Sequence, residues 1–406
     1  MTGGGLEIRP FTADDDLEPE FALRRGAFGS IRPGDKPKWR ASIEASVATG
    51  QIFGAFDAGR LVASARYLTM QQWWHGQVMP MAGVAGVKVA PEERGRGVGK
   101  ALMAALLADI ASRGYPVSTL YPSTLSIYRA LGWEVGGGLY EAAMPSRALA
   151  ELAAPDPVLG AARGGPDAPG LRHAGPADAV VVIETLGRVH QALRQCGPST
   201  RDPAEVARWL DDEDHFAYLA DDGFLSYRWA DGHQILRVDL LAASSAGTSR
   251  AFWRILASHA TMAETVRVKL APDDPVTWLL RDPEVTGHRE ENWMLRLVDA
   301  AQAIGARGFP ASVTVCAQLE LTDPVRPGNS GRWSLEVSGG AGKLSPAAGT
   351  ADGSALRLGA RGVAALYAGV PVATLRHAGL AAGGDPAADE ALDSAFGGTA
   401  FMTDYF

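Results

Sequence analysis

Residues 83 to 110 read GVAGVKVAPEERGRGVGKALMAALLADI. Val84, Val87 and Val89, with short residues between them, form a strand-like run that Pro91 stops. Leu102, Leu106 and Ile110 then recur on one helical face, with Met103 and Leu107 beside it. Between the two lies Glu92-Glu93-Arg94-Gly95-Arg96-Gly97-Val98-Gly99-Lys100. The segment is therefore a strand, a glycine-rich turn and a helix. A helix N-terminus presents unpaired N–H groups and a positive dipole end, which makes it a ready anion site. The glycines let backbone approach a ligand closely, and Arg94 and Arg96 can add charge-assisted hydrogen bonds to phosphate oxygens.

The spacing narrows the phosphate ligand. A dinucleotide fingerprint needs G-x-G-x-x-G with an acidic residue further on, and Gly95, Gly97 and Gly99 do not fit it. A P-loop needs a hydroxyl after its lysine, and Ala101 follows Lys100. The pattern R-x-x-G-x-G at Arg94, Gly97 and Gly99 instead resembles the acetyl-coenzyme A pyrophosphate loop of the GNAT superfamily of N-acetyltransferases. Downstream, Val117 to Tyr121 reads as the next strand, and Leu125 to Trp133 as a short helix with Gly132 as its stop. The resemblance implies that a tyrosine placed like Tyr128, with three residues between it and Gly132-Trp133, is the acid of the reaction. A phenol with an ordinary pKa of about 10 suits protonation of a departing thiolate. Outside this motif Tyr128 would read as a packed helix aromatic.

The whole chain sets the frame. Its 406 residues exceed what one core serves, so two or three domains are expected. Apolar residues make up 47% and charged residues 21%, which excludes a wholly disordered chain. No apolar run reaches membrane-spanning length, and MTGGGLEIRP lacks the basic start of a secretory signal. A net charge of −8 without a Lys/Arg run argues against nucleic acid as a partner. Cys196 and Cys316 are too few for a disulfide framework and are expected as reduced thiols in a cytoplasmic protein. The eight histidines are scattered, so no metal is expected.

Along the chain, strand and helix patterns alternate to about residue 150. A Gly/Pro/Ala-rich stretch from Pro155 to Pro176 reads as a linker. Strands follow at Phe216–Leu219, Phe224–Trp229, Ile235–Leu241 and Val266–Leu270, with a helix over 248–259. Met294, Leu295, Leu297 and Val298 give an amphipathic helix signal. Strands over 311–321 and 331–337 and a helix over 359–367 complete the pattern.

Taken together, ValAlaGlyValLysValAlaPro, ArgGlyArgGlyValGly, TyrProSer at 121–123 with Tyr128 after it, and the closing MetThrAspTyrPhe resemble the Eis (enhanced intracellular survival) family of actinobacterial acetyltransferases. The resemblance implies a mixed α+β and α/β chain: two tandem GNAT-like domains, each a mixed central sheet flanked by helices, then a sterol-carrier-protein-like α+β domain. On that reading residues 1–150 are the catalytic domain, 151–290 a degenerate GNAT-like domain and 291–406 the C-terminal domain, which ends in the active site. It further implies Tyr128 as general acid and the terminal carboxylate of Phe406 as general base. Acetyl-CoA would be held by Val87, Lys88 and Val89, by Arg94, Gly95, Arg96, Gly97, Val98, Gly99 and Lys100, and by Ser123 with Thr124. The family forms hexamers and acetylates amines of aminoglycoside-like cations, so both are expectations here.

Other residues carry less. The middle region has Ala242 to Thr248 where a pyrophosphate loop should fall, with no arginine, so it is expected not to bind acetyl-CoA. Phe28, Trp39, Trp73 and Trp74 could shape an amine pocket or be core, and His75 reads as structural. Asp211 to Asp214 reads as a solvated turn. Arg24 and Arg25 stand where an acidic residue would suit a polycation. Two rival readings are a lysine or peptide acetyltransferase with little aminoglycoside activity, and a non-enzymatic carrier of an apolar ligand.

Overall fold

A computed structural model describes residues 5–30, 34, 36–150, 152, 169–280, 287–347 and 355–406. Residues 155–168 of the expected linker, and residue 151 at the expected boundary, lie outside the described residues. Thirteen strands form one sheet. In spatial order they are Glu7–Pro10, Ile52–Asp57, Arg60–Trp74, Gln77–Val89, Val117–Leu120, Gly287–Leu297, Glu134–Pro145, Thr265–Leu270, Ile235–Ala243, Gly223–Ala230, Phe216–Ala220 and Arg172–His173. Cys196–Thr200 adds to the edge of Arg60–Trp74 beyond the end of Ile52–Asp57. Neighbours are antiparallel except at two places, where Gln77–Val89 lies parallel to Val117–Leu120 and Ile235–Ala243 lies parallel to Thr265–Leu270. Each half of the sheet thus has one parallel pair, and Glu134–Pro145 joins the halves by pairing on both edges.

The expected helix around Met294 is a strand. Gly287–Leu297 lies between Val117–Leu120 and Glu134–Pro145, and it runs through residue 290. Trp293, Leu295 and Leu297 pack into the core shared with the third region, while Met294 faces the core of the first half. A strand buried on both faces loses the polar alternation that marks a strand in sequence, and its apolar run imitates a helix.

Helix Val98–Ser112 covers one face of the first half through Leu102, Met103, Leu106, Leu107 and Ile110. The residues of Arg60–Trp74 alternate accordingly. Ala63, Ala65 and Tyr67 face that helix, and Ser64 and Met70 face the other side, where helix Glu18–Phe28 packs. The third region is a five-stranded sheet, in the order Ala341–Pro346, Gly331–Ser338, Val315–Thr322, Leu356–Gly359 and Ala381–Gly383. Its first expected strand starts at Val315 rather than Ala311, because the chain turns after Pro310. Helices Ala300–Ala306, Ala360–Tyr367, Val372–His377 and Pro386–Phe396 accompany it.

Two buried arginines bind this region to the large sheet. Arg296 donates to both oxygens of Asp323 at 2.7 and 2.5 Å. Arg307 donates to the carbonyls of Tyr367 and Phe396 and lies over the Trp74 ring, 5.2 Å from its centroid. Trp74 is fully buried and so belongs to the core, not to a pocket. Among the described residues no helix is long and apolar enough to cross a membrane.

Candidate active site

The site begins where two strands part. Gln77–Val89 pairs with Val117–Leu120 only from Met81 to Val84, and then runs on alone towards Val89 on that side. The Ala90 N–H bonds to the Val62 carbonyl on the other side. Alternation along the strand therefore turns the Lys88 amide the same way and aims the Val89 amide into the gap. Gly86, at φ +60°, forms a bulge between Ala85 and Lys88, which resets the register so that Val87 follows Val89. The gap is thus lined by unpaired backbone of Val87 and Val89, whose side chains pack on the core of helix Val98–Ser112.

At the mouth of the gap stands the glycine-rich turn. Gly97 caps the helix at φ +82°, with no side-chain hydrogen bond to the first-turn amides of Val98, Gly99 and Lys100 and no acidic residue in the first turn. Added Cβ atoms on Gly95 or Gly97 would meet nothing within 4 Å, so the loop faces open space, and both take positive φ. Gly99 is different, because a Cβ there would press on Ile127 and Val89 at 3.1 and 3.2 Å. Arg96 pairs with buried Glu93, which also receives Arg60. Arg94 and Lys100 are exposed and make no ion pair among the described residues, which leaves both for an anion. Ser123 and Thr124 are exposed beside the gap, and Thr124 is the N-cap of helix Leu125–Arg129. This arrangement can hold a pyrophosphate with an extended arm hydrogen-bonded along Val87 and Val89.

Lys88 is placed otherwise than a cofactor ligand. Its ammonium is buried on the opposite face, paired with Glu20 of the first helix and donating to the Gly86 carbonyl at 3.2 Å. Ser64 Oγ lies 3.3 Å from the same Glu20 carboxylate. Burial pulls the Lys88 ammonium down, and Glu20 opposes this. Glu20 carried no signal in the sequence, because its partner lies a whole helix pair and three strands away.

Tyr128 sits on Leu125–Arg129 and is 4% exposed in the core under helix Val98–Ser112. Burial alone pushes its phenol up to about 12, so it remains protonated at neutral pH. Phe406 lies on the other face, where a Cβ on Gly83 would touch its ring at 2.9 Å. The end of the chain is carried there by a threaded segment. Phe401 N–H bonds to the Cys196 carbonyl and Met402 N–H to the Gly138 carbonyl. Tyr121 hydroxyl then donates to the Asp404 carbonyl at 2.7 Å. Arg201 grips the Asp404 carboxylate at 2.5 and 2.8 Å and the Tyr405 carbonyl at 2.9 Å. The residue after each of these contacts in sequence gives no hint of them, since Arg201 and Asp404 lie 203 positions apart.

The remaining candidates fall outside this site or in its surroundings. Phe28 is exposed, Trp39 packs edge-on against Phe21, and Trp73 packs on His190. His75 occupies the turn between two long strands at φ +48°. Arg24 donates to the Gly29 carbonyl at 2.7 Å. In the Asp211–Asp214 turn, Asp212 receives Lys38 at 3.3 Å. Cys196 is buried and Cys316 exposed, and neither is bonded to another cysteine. In the second half, helix Ala246–Ala257 is already capped by Ser245, and Thr248 at its start bonds to Asp222. An anion would find that N-terminus satisfied and faced by a carboxylate.

The comparisons agree with this geometry. Residues 7–136 match the model of an acetyltransferase (GNAT) domain, 197–297 match a second GNAT domain model, and 300–402 match a sterol carrier protein domain. The crystal structure of a GCN5-related N-acetyltransferase from Kribbella flavida superposes with a TM-score of 0.91 at 41% identity, covering 99% of this chain and 98% of that one. N-acetyltransferase Eis of Mycobacterium tuberculosis is 28% identical over 350 residues, 82% of this chain and 83% of that protein. An Eis protein of Mycobacterium abscessus shares the fold with a TM-score of 0.77 at 24% identity, over 98% of this chain and all of that one. The chain belongs to the GCN5-related N-acetyltransferases and is similar, over most of its length, to the Eis proteins. It is an N-acetyltransferase built of two GNAT domains and a sterol-carrier-like domain.

Proposed function

We propose that the chain transfers the acetyl group of acetyl-CoA directly to a primary amine held with it in a ternary complex. The observation that carries this reading is the uncapped glycine-rich helix start at the strand divergence, with a buried phenol packed on one face of the sheet and a clamped chain end on the other. Arg94, Lys100 and the amides of the turn hold the pyrophosphate, with Ser123 and Thr124 beside them. Backbone of Val87 and Val89 aligns the pantetheine arm, and the Val87 N–H polarises the thioester carbonyl. In a chain that ends at Phe406, its carboxylate takes the proton of the attacking ammonium, directly or through water. Tyr128 gives its proton to the thiolate as the carbon–sulfur bond breaks.

The acceptor is an amine, read first as an aminoglycoside-like cation acetylated at more than one position. A second reading is a lysine or peptide amine. By family resemblance the protein assembles as a homo-oligomer, a hexamer in that reading. The mechanism is tested with Tyr128→Phe and with a chain extended past Phe406. Both should bind acetyl-CoA with unchanged affinity by calorimetry and lose at least 100-fold in thiol release, in the range expected of an acid or base. Full turnover in the extended chain removes the terminal base. A panel of aminoglycosides, lysine peptides and simple amines separates the two acceptor readings.

A further inference from the structure

A cavity of about 280 Å³ lies in the second half of the molecule and reaches Arg201, Thr403 and Asp404 beside the clamped chain end. One wall is apolar, made by Val182, Leu186, Val206 and Trp209. The rest is charged, and most of those charges are already spoken for: Arg201 with Asp404, and Arg228 with Asp239 at 3.2 Å. Two groups of opposite sign remain. Lys269 also lines the cavity; it feels the Asp404, Asp239 and Glu141 carboxylates electrostatically but forms no close ion pair or hydrogen bond among the described residues. Glu205 reaches its nearest cations, Arg201 and Arg208, only at 3.9 and 4.0 Å. Ser199 Oγ and His215 Nδ1 belong to lining residues and are buried without any hydrogen-bond partner.

Buried polar atoms are rarely left unpaired, because each one unsatisfied has lost its water without gaining a partner. A lone lysine and a loosely held glutamate beside two such atoms and an apolar wall define complementary partners: a carboxylate, an ammonium and a short hydrocarbon. The volume is at the small end of ligand pockets, which run from about 300 Å³ upwards. We infer that this cavity binds a small zwitterion with an apolar side chain, an α-amino acid or a molecule of that class. Its carboxylate meets Lys269 and its ammonium meets Glu205. A polycation would confront Lys269 and Arg228, and a fatty acid would leave Glu205 facing hydrocarbon. The cavity borders the clamped chain end through Arg201, Thr403 and Asp404, but its occupancy is read by binding alone, without coenzyme or turnover, and so is tested apart from the acetyl-transfer reading.

Calorimetry on the full chain with three matched probes tests this: L-leucine, L-leucinamide and 4-methylpentanoate, which carry both charges, the ammonium only and the carboxylate only. Leucine should bind at least tenfold more tightly than either analogue. Lys269→Met should equalise leucine and leucinamide, and Glu205→Gln should equalise leucine and 4-methylpentanoate, with the melting temperature of each variant confirming a folded chain. The inference fails if leucine binds no better than leucinamide or 4-methylpentanoate, or gives no saturable heat at millimolar concentration. The comparison of probes on the unaltered protein is decisive even where a variant does not fold.

Discussion

Lys88 is buried together with its counter-charge, and its ammonium donates to the Gly86 carbonyl at the bulge. Removing one partner of a buried pair leaves the other uncompensated, at about 3–5 kcal/mol, whereas removing both is far milder. Lys88→Met should therefore lower unfolding free energy by about that much, and Glu20→Leu with Lys88→Met should restore most of it. Denaturant titration of the single and double variants checks both. His190 supplies the pH dependence. Burial holds its imidazole down at about 4, against a bond to Gln195 that opposes the shift. The unfolded chain takes up a proton near pH 6.5 that the folded chain refuses until about 4. Its contribution is thus intact above pH 6.5 and lost as pH falls towards 4, so the protein should lose about 2 kcal/mol between pH 7 and 5 that His190→Gln does not lose. At this scale the sequence showed the loop residues from Arg94 to Lys100 clearly, because one short pattern holds them. It could not show which way Lys88 points, because that depends on a one-residue bulge and on a carboxylate sixty-eight positions earlier.

The element that would carry the proposed base is the segment from Ala400 to Phe406. It is neither helix nor regular strand, and its course is set by Cys196, Gly138, Tyr121 and Arg201. On the proposed mechanism Arg201 is a positioning residue, since it holds the Asp404 carboxylate and the Tyr405 carbonyl, two and one residues before the proposed base. Arg201→Met should reduce kcat at least tenfold while the KM for acetyl-CoA stays within about twofold, because the coenzyme gap does not contain it. Steady-state kinetics with both substrates varied would separate these effects, and Arg201→Lys should recover part of kcat. The strand Gly287–Leu297 was the least legible element. Apolar residues on both its faces, needed to join two cores, removed the period by which strands are recognised. The glycine-rich turn and helix Val98–Ser112 were the most legible, because their start signal and apolar stripe are local.

At the level of the whole molecule, the three regions visible in sequence do not correspond to three separable bodies. The first half of the sheet takes its sixth strand from Gly287–Leu297, the edge of Arg60–Trp74 is extended by Cys196–Thr200, and Trp74 is sealed by Arg307 and Tyr367. A fragment of residues 1–150 should accordingly lack near-UV circular dichroism and bind no acetyl-CoA, and the full chain should melt in one transition by calorimetry; an independently folded, coenzyme-binding fragment would contradict this. The borrowed strand also has a meaning for biosynthesis. A ribosome that has finished Glu134–Pro145 must translate on to Leu297, about 10–30 s later at ordinary speeds, before the neighbouring slot can be filled. During that interval the exposed edges of Val117–Leu120 and Glu134–Pro145 are open to wrong partners, so the nascent chain, rather than the finished protein, is where a chaperone would matter most.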